Sequence, residues 1–131
     1  MLGVMKPLLV VGALGASAAL AAQGSALGML DKLQRGQWVV ASRDGGPSRT
    51  LCLGDAAQLV QLRHAGSACS RYVVEDAADK VTVQYTCRGN GYGRTSIRKE
   101  TNTLVQIESQ GIEGGLPFQF KAEARRTGAC R

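Results

Sequence analysis

The chain is poor in aromatic residues and has a single histidine. Its 131 residues include two Phe, one Trp, three Tyr and one His. A domain of this length buries enough surface for one core, but the margin is modest when large side chains are scarce. A hydrolase of the Ser-His type would have to place its only histidine, His64, beside a nucleophile and a carboxylate.

Motifs typical of catalysis or metal binding are missing from the sequence. No serine lies in the Gly-x-Ser-x-Gly pattern that marks one large class of hydrolases. The His-Glu-x-x-His pattern of zinc enzymes and the acidic run of a calcium loop are absent as well. We therefore predict no catalytic residue, no metal and no cofactor, and expect His64 to be a structural or surface residue. The expected protein is not an enzyme.

No apolar run is long enough to cross a bilayer. The longest extends from Leu8 to Leu20, which is shorter than the roughly 20 residues that a spanning helix needs. Lys6 precedes this run, and Ala19-Leu20-Ala21 has the small-x-small pattern of a cleavage site. The sequence therefore predicts a cleaved signal peptide over residues 1–21, export to the periplasm and no transmembrane anchor.

All four cysteines lie in the remaining segment, residues 22–131, which we predict to be a single domain. An even number of cysteines in an exported chain predicts two disulfides. Zinc ligands usually occur as close pairs along the chain. These cysteines are widely separated, so a zinc site is not expected.

Strand geometry predicts which cysteines pair. With Ala78 at the centre of a turn, Cys69 faces Cys87 on the same side of neighbouring strands. A Cys69–Cys87 bridge leaves Cys52–Cys130 by elimination. The alternative pairing, Cys52–Cys69 with Cys87–Cys130, joins cysteines that follow one another along the chain, and it stays open at this point.

Alternating polar and apolar residues predict a mainly β fold. We expect an antiparallel sheet of five to six strands with one or two short helices. The alternation is clearest over residues 117–126 (PFQFKAEARR). The predicted strands cover residues 37–42, 69–76, 80–87, 93–100, 103–110 and 117–126. Residues 111–117 (GIEGGLP) are expected to form a loop.

Two short helices are predicted from capping residues and apolar spacing. Ser25 caps the first helix, in which leucines recur over residues 27–33, and Gly36 can end it. Asp55 caps the second helix, which is expected to stop near Gly66.

The glycines of "VQYTCRGNGYGR" (residues 83–94) are expected to form a hairpin turn. Asn90-Gly91 suits a type I′ turn, because both central positions of that turn need a positive φ. A phosphate-binding glycine loop is followed by a helix, but the residues after Gly93 are β-branched and charged. Tyr92 is then an exposed candidate contact at the hairpin tip.

The net charge of +6 comes almost entirely from the second half of the chain. This excess predicts either a solvated basic surface or a face for an anionic partner. The partner would be an anionic envelope component or a periplasmic protein. No nucleic acid is expected, because aromatic residues do not alternate with the basic ones. The candidate contacts are Arg94, Arg98, Lys99, Arg125 and Arg126.

The order of several short stretches resembles a proteobacterial family of small exported proteins, the domain-of-unknown-function family thirty-six-seventeen. The stretches are "RGQW" (35–38), "CLGDAA" (52–57), Cys69, "YTCRG" (85–89) and "ARRTGAC" (124–130). Gly54-Asp55 stands where the family has Thr-Pro. The family has no established activity, so the resemblance implies an exported four-cysteine protein. We expect a non-enzymatic binding or envelope-associated module.

A second, local resemblance suggests an alternative function. "QYTCRGNG" (84–91) is similar to the Tyr-x-Cys strand of membrane-bound inhibitors of C-type lysozyme. The chain lacks their later Ser-Gly-x-x-Tyr segment, and it is basic like most lysozymes, so like charges oppose the encounter. The alternatives are therefore an inhibitor of a cell-wall hydrolase and, less favoured, a small hydrolase that uses His64.

Overall fold

A computed structural model describes residues 27–131 together with six isolated residues, which are Gly3, Val4, Pro7, Leu8, Gly12 and Gly15. The predicted signal peptide, apart from these six residues, and the predicted Ser25 cap lie outside the described residues. Within the described part, none of the helices has the length and apolar character that crossing a membrane requires.

Seven antiparallel strands form one sheet, so the predicted mainly β fold is confirmed. The strands are β1 (Gly36–Ser42), β2 (Arg49–Leu53), β3 (Cys69–Asp76), β4 (Lys80–Cys87), β5 (Gly91–Thr101), β6 (Leu104–Glu113) and β7 (Leu116–Gly128). Their order across the sheet is β2-β1-β7-β6-β5-β4-β3. The C-terminal strand therefore lies inside the sheet, between β1 and β6, and β2 and β3 are the edges.

Two sequence predictions about these elements were wrong, and one strand was not predicted. The short segment at 49–53 forms the extra strand β2, and Gly36 begins β1. Residues 111–113, expected in a loop, continue β6, which leaves only Gly114-Gly115 between β6 and β7. Both glycines have positive φ angles, of 55° and 81°. This two-residue turn allows the strands to stay paired to their ends.

The inner face of the sheet holds the core. Its alternating side chains are buried, as predicted for β7, while the residues between them point outward. The buried set comprises Trp38, Val40, Val81, Val83, Tyr85, Ile97, Val105, Ile107, Ala122 and Ala124. Burying one aliphatic side chain contributes about 1.5–3 kcal/mol to stability. The many buried aliphatic residues therefore compensate for the small number of large aromatic ones.

Two helical segments cover this inner face. The first, α1 (Gly28–Asp31), buries Met29 and Leu30. The second is a 3-10 helical segment over Ala56–His64, here called the 3-10 segment. Asp55 caps it as predicted, because its carboxylate accepts from the Ala57 amide at 2.9 Å.

The 3-10 segment is not the regular helix that the sequence predicted. Its backbone kinks at Gln61, where φ is −124° and ψ is 47°. Side chains from strands of the sheet donate hydrogen bonds to its carbonyl groups. The Thr95 hydroxyl donates to Val60 O at 2.6 Å, and Arg49 Nη1 donates to Leu62 O at 2.9 Å. Tertiary hydrogen bonds thus replace part of the helical pattern.

The two disulfides are Cys52–Cys130 and Cys69–Cys87, and the alternative pairing does not form. Cys69 and Cys87 are directly opposite in the register of β3 and β4, as the strand geometry predicted. Cys52–Cys130 joins the edge strand β2 to the end of the chain. Two disulfides are typical of proteins that mature in an oxidising compartment.

The β4–β5 hairpin is confirmed, but its turn is not centred on Asn90-Gly91. The Asn90 amide donates to Cys87 O at 3.1 Å, so Arg88 and Gly89 are the central residues. Gly89 has a φ of 75°, whereas Asn90 does not have a positive φ. The Asn90 carbonyl instead accepts from His64 Nε2 at 2.8 Å, which favours this turn over type I′.

Candidate functional site

The outward face of the sheet carries a groove lined by described residues, here called the main groove. It has a volume of about 680 Å³ and lies over β4 to β7. A smaller cleft of about 150 Å³ continues from it and shares Arg94 and Gln110. The side chains that line the main groove from the outward face are Gln84, Thr86, Tyr92, Arg94, Gln110, Ile112 and Pro117.

Two paired glycines lie beneath the groove. Gly93 of β5 faces Gly111 of β6 in the sheet register. A Cβ atom on Gly93 would lie 2.5 Å from the Tyr85 ring, and one on Gly111 would clash with the Tyr92 carbonyl. Only glycine therefore lets the ring and the neighbouring backbone approach so closely. The glycine-rich stretch thus supports the floor of the groove.

One row of side chains crosses the outward face from β3 to β7. The register places Tyr72, Gln84, Arg94, Gln110 and Gln119 opposite one another in turn. We call these five residues the polar row. All five are exposed. None of their side chains makes a hydrogen bond or salt bridge to another residue within 27–131, so their donors and acceptors face solvent.

The other half of the outward face is different, because its polar side chains bond to one another. The pairs are Thr82 with Ser96 at 2.8 Å, Arg98 with Glu100 at 3.4 Å, Arg125 with Glu123 at 3.1 Å and Lys121 with Glu108 at 3.8 Å. Gln106 donates to both Glu100 and Glu123 at 3.4 Å. The hydrogen bond from Gln106, and then that from Arg125, lowers the pKa of the Glu123 carboxyl.

Of the predicted basic contacts, only Arg94 lines the groove. It forms no salt bridge with the described residues, and residues 1–26 contain no Asp or Glu. Tyr92, the predicted hairpin contact, lies beside it and is 55% exposed. The other four predicted contacts bond within the protein: Arg98 to Glu100, Arg125 to Glu123, Lys99 to Asn102 and Arg126 to the Arg35 carbonyl. Of these five basic residues, Arg94 is therefore the one whose side chain bonds to no other described residue.

His64 is buried on the inner side, away from the outward face. Its Nε2 lies 2.8 Å from Asn90 O and 3.0 Å from Ile112 O. Carbonyl oxygens only accept, so Nε2 carries the proton and donates to both. Its Nδ1, 2.8 Å from the Tyr85 hydroxyl, then accepts from that group. Both ring nitrogens are occupied, as expected of a structural histidine.

The Tyr85 hydroxyl is held in its neutral form by the same surroundings. Burial raises the pKa of Tyr85 to about 12, and the negative charge of Glu113 adds to the shift while Arg63 opposes it. Glu113 and Arg63 themselves form an ion pair at 3.5 Å. This cluster joins the 3-10 segment to β4 and β6.

The glutamines of the polar row were missed by the sequence analysis. A glutamine on the polar side of a strand is ordinary, and such residues occur in β4, β6 and β7, with two of them in β6. The recurrence of glutamine at solvent-facing positions of three predicted strands is the sequence signal that could have revealed them. Only the strand register shows that they are neighbours.

Within the part of the chain that the structure describes, no three His, Cys, Asp or Glu side chains are grouped so as to hold a metal ion. No protein-family model, curated protein or solved structure matches this chain. The likeness to the domain-of-unknown-function family therefore stays a prediction.

Proposed function

We propose that this protein is an exported, non-enzymatic binding module whose outward groove holds an anionic component of the cell envelope. The observation that carries the proposal is Arg94. Among the described residues it is the only charged side chain that lines the main groove, and it forms no salt bridge with any of them. A guanidinium group can bind a carboxylate or phosphate through two parallel hydrogen bonds.

The charge of the whole chain supports the same class of ligand. A net charge of +6 attracts anions toward the surface and speeds their encounter with it. Glu108 is the one carboxylate that lines the adjoining smaller cleft, and Lys121 lies 3.8 Å from it. Lys121 therefore partly neutralises the negative charge of Glu108 that an anion bound to Arg94 would have beside it.

A binding role is favoured over catalysis because the only histidine is buried and has a structural role. His64 is 1% exposed and bonds through both ring nitrogens. Export is favoured by the two disulfides, which persist in oxidising compartments. The periplasm and the cleaved leader remain part of the proposal.

Substitution of Arg94 tests the proposed function. The oxidised protein is titrated with tripolyphosphate, tetragalacturonate and phosphatidylglycerol vesicles at low and high salt. We expect at least one probe to bind in a salt-sensitive manner, and Arg94→Gln to weaken that binding about tenfold, which corresponds to about 1.4 kcal/mol.

Arg98→Gln is the matched control, because Arg98 lies on the same strand but pairs with Glu100 outside the groove. It should leave the affinity within about twofold of the unchanged protein. Equal losses in the two variants, or no binding of any anionic probe at low salt, would contradict the proposal.

A further inference from the structure

We infer that the ligand of the groove is an oligosaccharide chain that carries carboxylate groups. This inference rests on the proposed function, since it names the class of anion that Arg94 holds. It is carried by a separate observation, namely the polar row and the contrast between the two halves of the outward face.

The chemistry of the polar row suits a ligand rich in hydroxyl groups. Gln84, Gln110 and Gln119 each offer an amide that both donates and accepts, and Arg94 between them offers only donors. Within the described part of the chain no side chain competes for these groups. A chain of sugar hydroxyls can satisfy alternating donors and acceptors, whereas a simple inorganic anion uses only the donors.

The spacing of the polar row also suits a linear sugar chain. Neighbouring strands lie about 4.8 Å apart, so five strands place the row over ~19 Å at right angles to the strands. One step along the row is close to the length of one sugar residue in an extended chain. A peptide would instead be expected to add to an edge strand through its main chain.

Two exposed aromatic rings complete the surface. Tyr72 ends the polar row on β3 and is 69% exposed, and Tyr92 lies next to Arg94 and is 55% exposed. A tyrosine ring offers a flat apolar face and a polar hydroxyl. Such a ring can pack against the C–H face of a sugar. The rest of the groove combines the polar side chains of Gln84, Thr86, Arg94 and Gln110 with the apolar Ile112 and Pro117, a mixture that suits the polar and C–H faces of a sugar.

A matched pair of glutamines on β6 tests the inference. Gln110 belongs to the polar row, whereas Gln106 on the same strand already donates to Glu100 and Glu123. The oxidised full chain is titrated calorimetrically with tetragalacturonate, with the neutral sugar cellotetraose and with tripolyphosphate. Gln110→Ala and Gln106→Ala are compared, and the circular dichroism and unfolding midpoint of each variant are recorded to confirm folding.

We expect tetragalacturonate to bind more tightly than either other probe. Gln110→Ala should weaken its binding about fivefold to tenfold, and Gln106→Ala should change it by less than twofold. Tripolyphosphate, if bound, should be insensitive to both glutamine variants and sensitive to Arg94→Gln.

The outcomes separate this inference from the proposed function. Unchanged tetragalacturonate binding in Gln110→Ala, or equal or tighter binding of tripolyphosphate, overturns the sugar assignment and leaves the proposed function standing if Arg94→Gln still weakens anion binding about tenfold. Equal affinity for cellotetraose overturns the carboxylate requirement. Failure of every anionic probe to bind overturns both.

Discussion

At the scale of single residues, the buried pair of His64 and Tyr85 shows how this core accommodates polar groups. Each would be costly to bury alone, but the tyrosine hydroxyl donates to His64 Nδ1 at 2.8 Å. The imidazole in turn donates to two carbonyl groups from β6 and the β4–β5 turn. One side chain of the 3-10 segment thus holds three parts of the sheet together.

Tyr85→Phe removes the proton donor and leaves His64 Nδ1 buried without its partner. Leaving a buried acceptor unsatisfied costs about 1–3 kcal/mol, so we expect the free energy of unfolding at pH 7 to fall by roughly that amount. Urea unfolding followed by circular dichroism measures it. Tyr92→Phe, which removes an exposed hydroxyl, is the control and should change stability by less than about 0.5 kcal/mol.

The raised pKa of Tyr85 predicts a specific alkaline instability. Between pH 10 and about 12 the unfolded chain has lost the Tyr85 proton while the folded chain retains it. The contribution of this group to stability is therefore complete below pH 10 and is lost as the pH rises toward 12.

Urea unfolding at pH 9, 10 and 11 should show a steeper fall in stability for the unchanged protein than for Tyr85→Phe. Parallel slopes for the two proteins would show that Tyr85 does not titrate as expected.

At the scale of elements, the hairpins of β4, β5 and β6 determine the groove. On the inner face of these strands, the Tyr85 ring packs against Gly93, where no side chain is in its way. Gly111 lies opposite Gly93 in the register. The outward side chains of the same strands line the groove. Packing below the sheet and binding above it are therefore set by the same register.

Gly93→Ala is predicted to destabilise the protein, because the added methyl group would lie 2.5 Å from the Tyr85 ring. Overpacking of this kind costs about 1–3 kcal/mol. Thermal unfolding should show a midpoint several degrees lower. Gly54→Ala is the matched control, since a methyl group there has no neighbour within 4 Å. A neutral Gly93→Ala would mean that the ring moves aside without cost.

Several elements were predictable from local patterns, and others were not. β3 and β4 have the bounds that the sequence predicted, and Asp55 caps the segment that it was expected to cap. The 3-10 segment departs from a regular helix because Thr95 and Arg49, which are distant along the chain, bond to its carbonyl groups. Such partners have no signature within the segment itself.

At the scale of the whole molecule, the disulfides connect parts of the sheet that the chain leaves far apart. Cys69–Cys87 closes a separation of 18 residues within one hairpin. Cys52–Cys130 closes 78 residues and ties the outer edge strand to the chain end beyond β7. In the chain-entropy model, the longer loop restricts the unfolded chain more.

Replacing Cys52 and Cys130 together by alanine should therefore cost more stability than replacing Cys69 and Cys87. The model gives about 4.5 kcal/mol for the first pair and about 3 kcal/mol for the second. Guanidinium unfolding of the two double variants measures the difference. A larger loss for Cys69–Cys87 would show that local packing around the buried Cys87, and not loop entropy, dominates.

The sequence alone determined the properties that depend on neighbours along the chain. These are the alternation of the strands, the capping of the 3-10 segment, the hairpin after Cys87 and the opposition of Cys69 and Cys87. Only the tertiary structure decided that β1 lies between β2 and β7, and that Gln84, Arg94, Gln110 and Gln119 form one row. The physical reason is that register between strands is set by the packing of the opposite, buried face. The sequence around a polar residue on the solvent-exposed face does not indicate which residues of the adjacent strands will lie beside it.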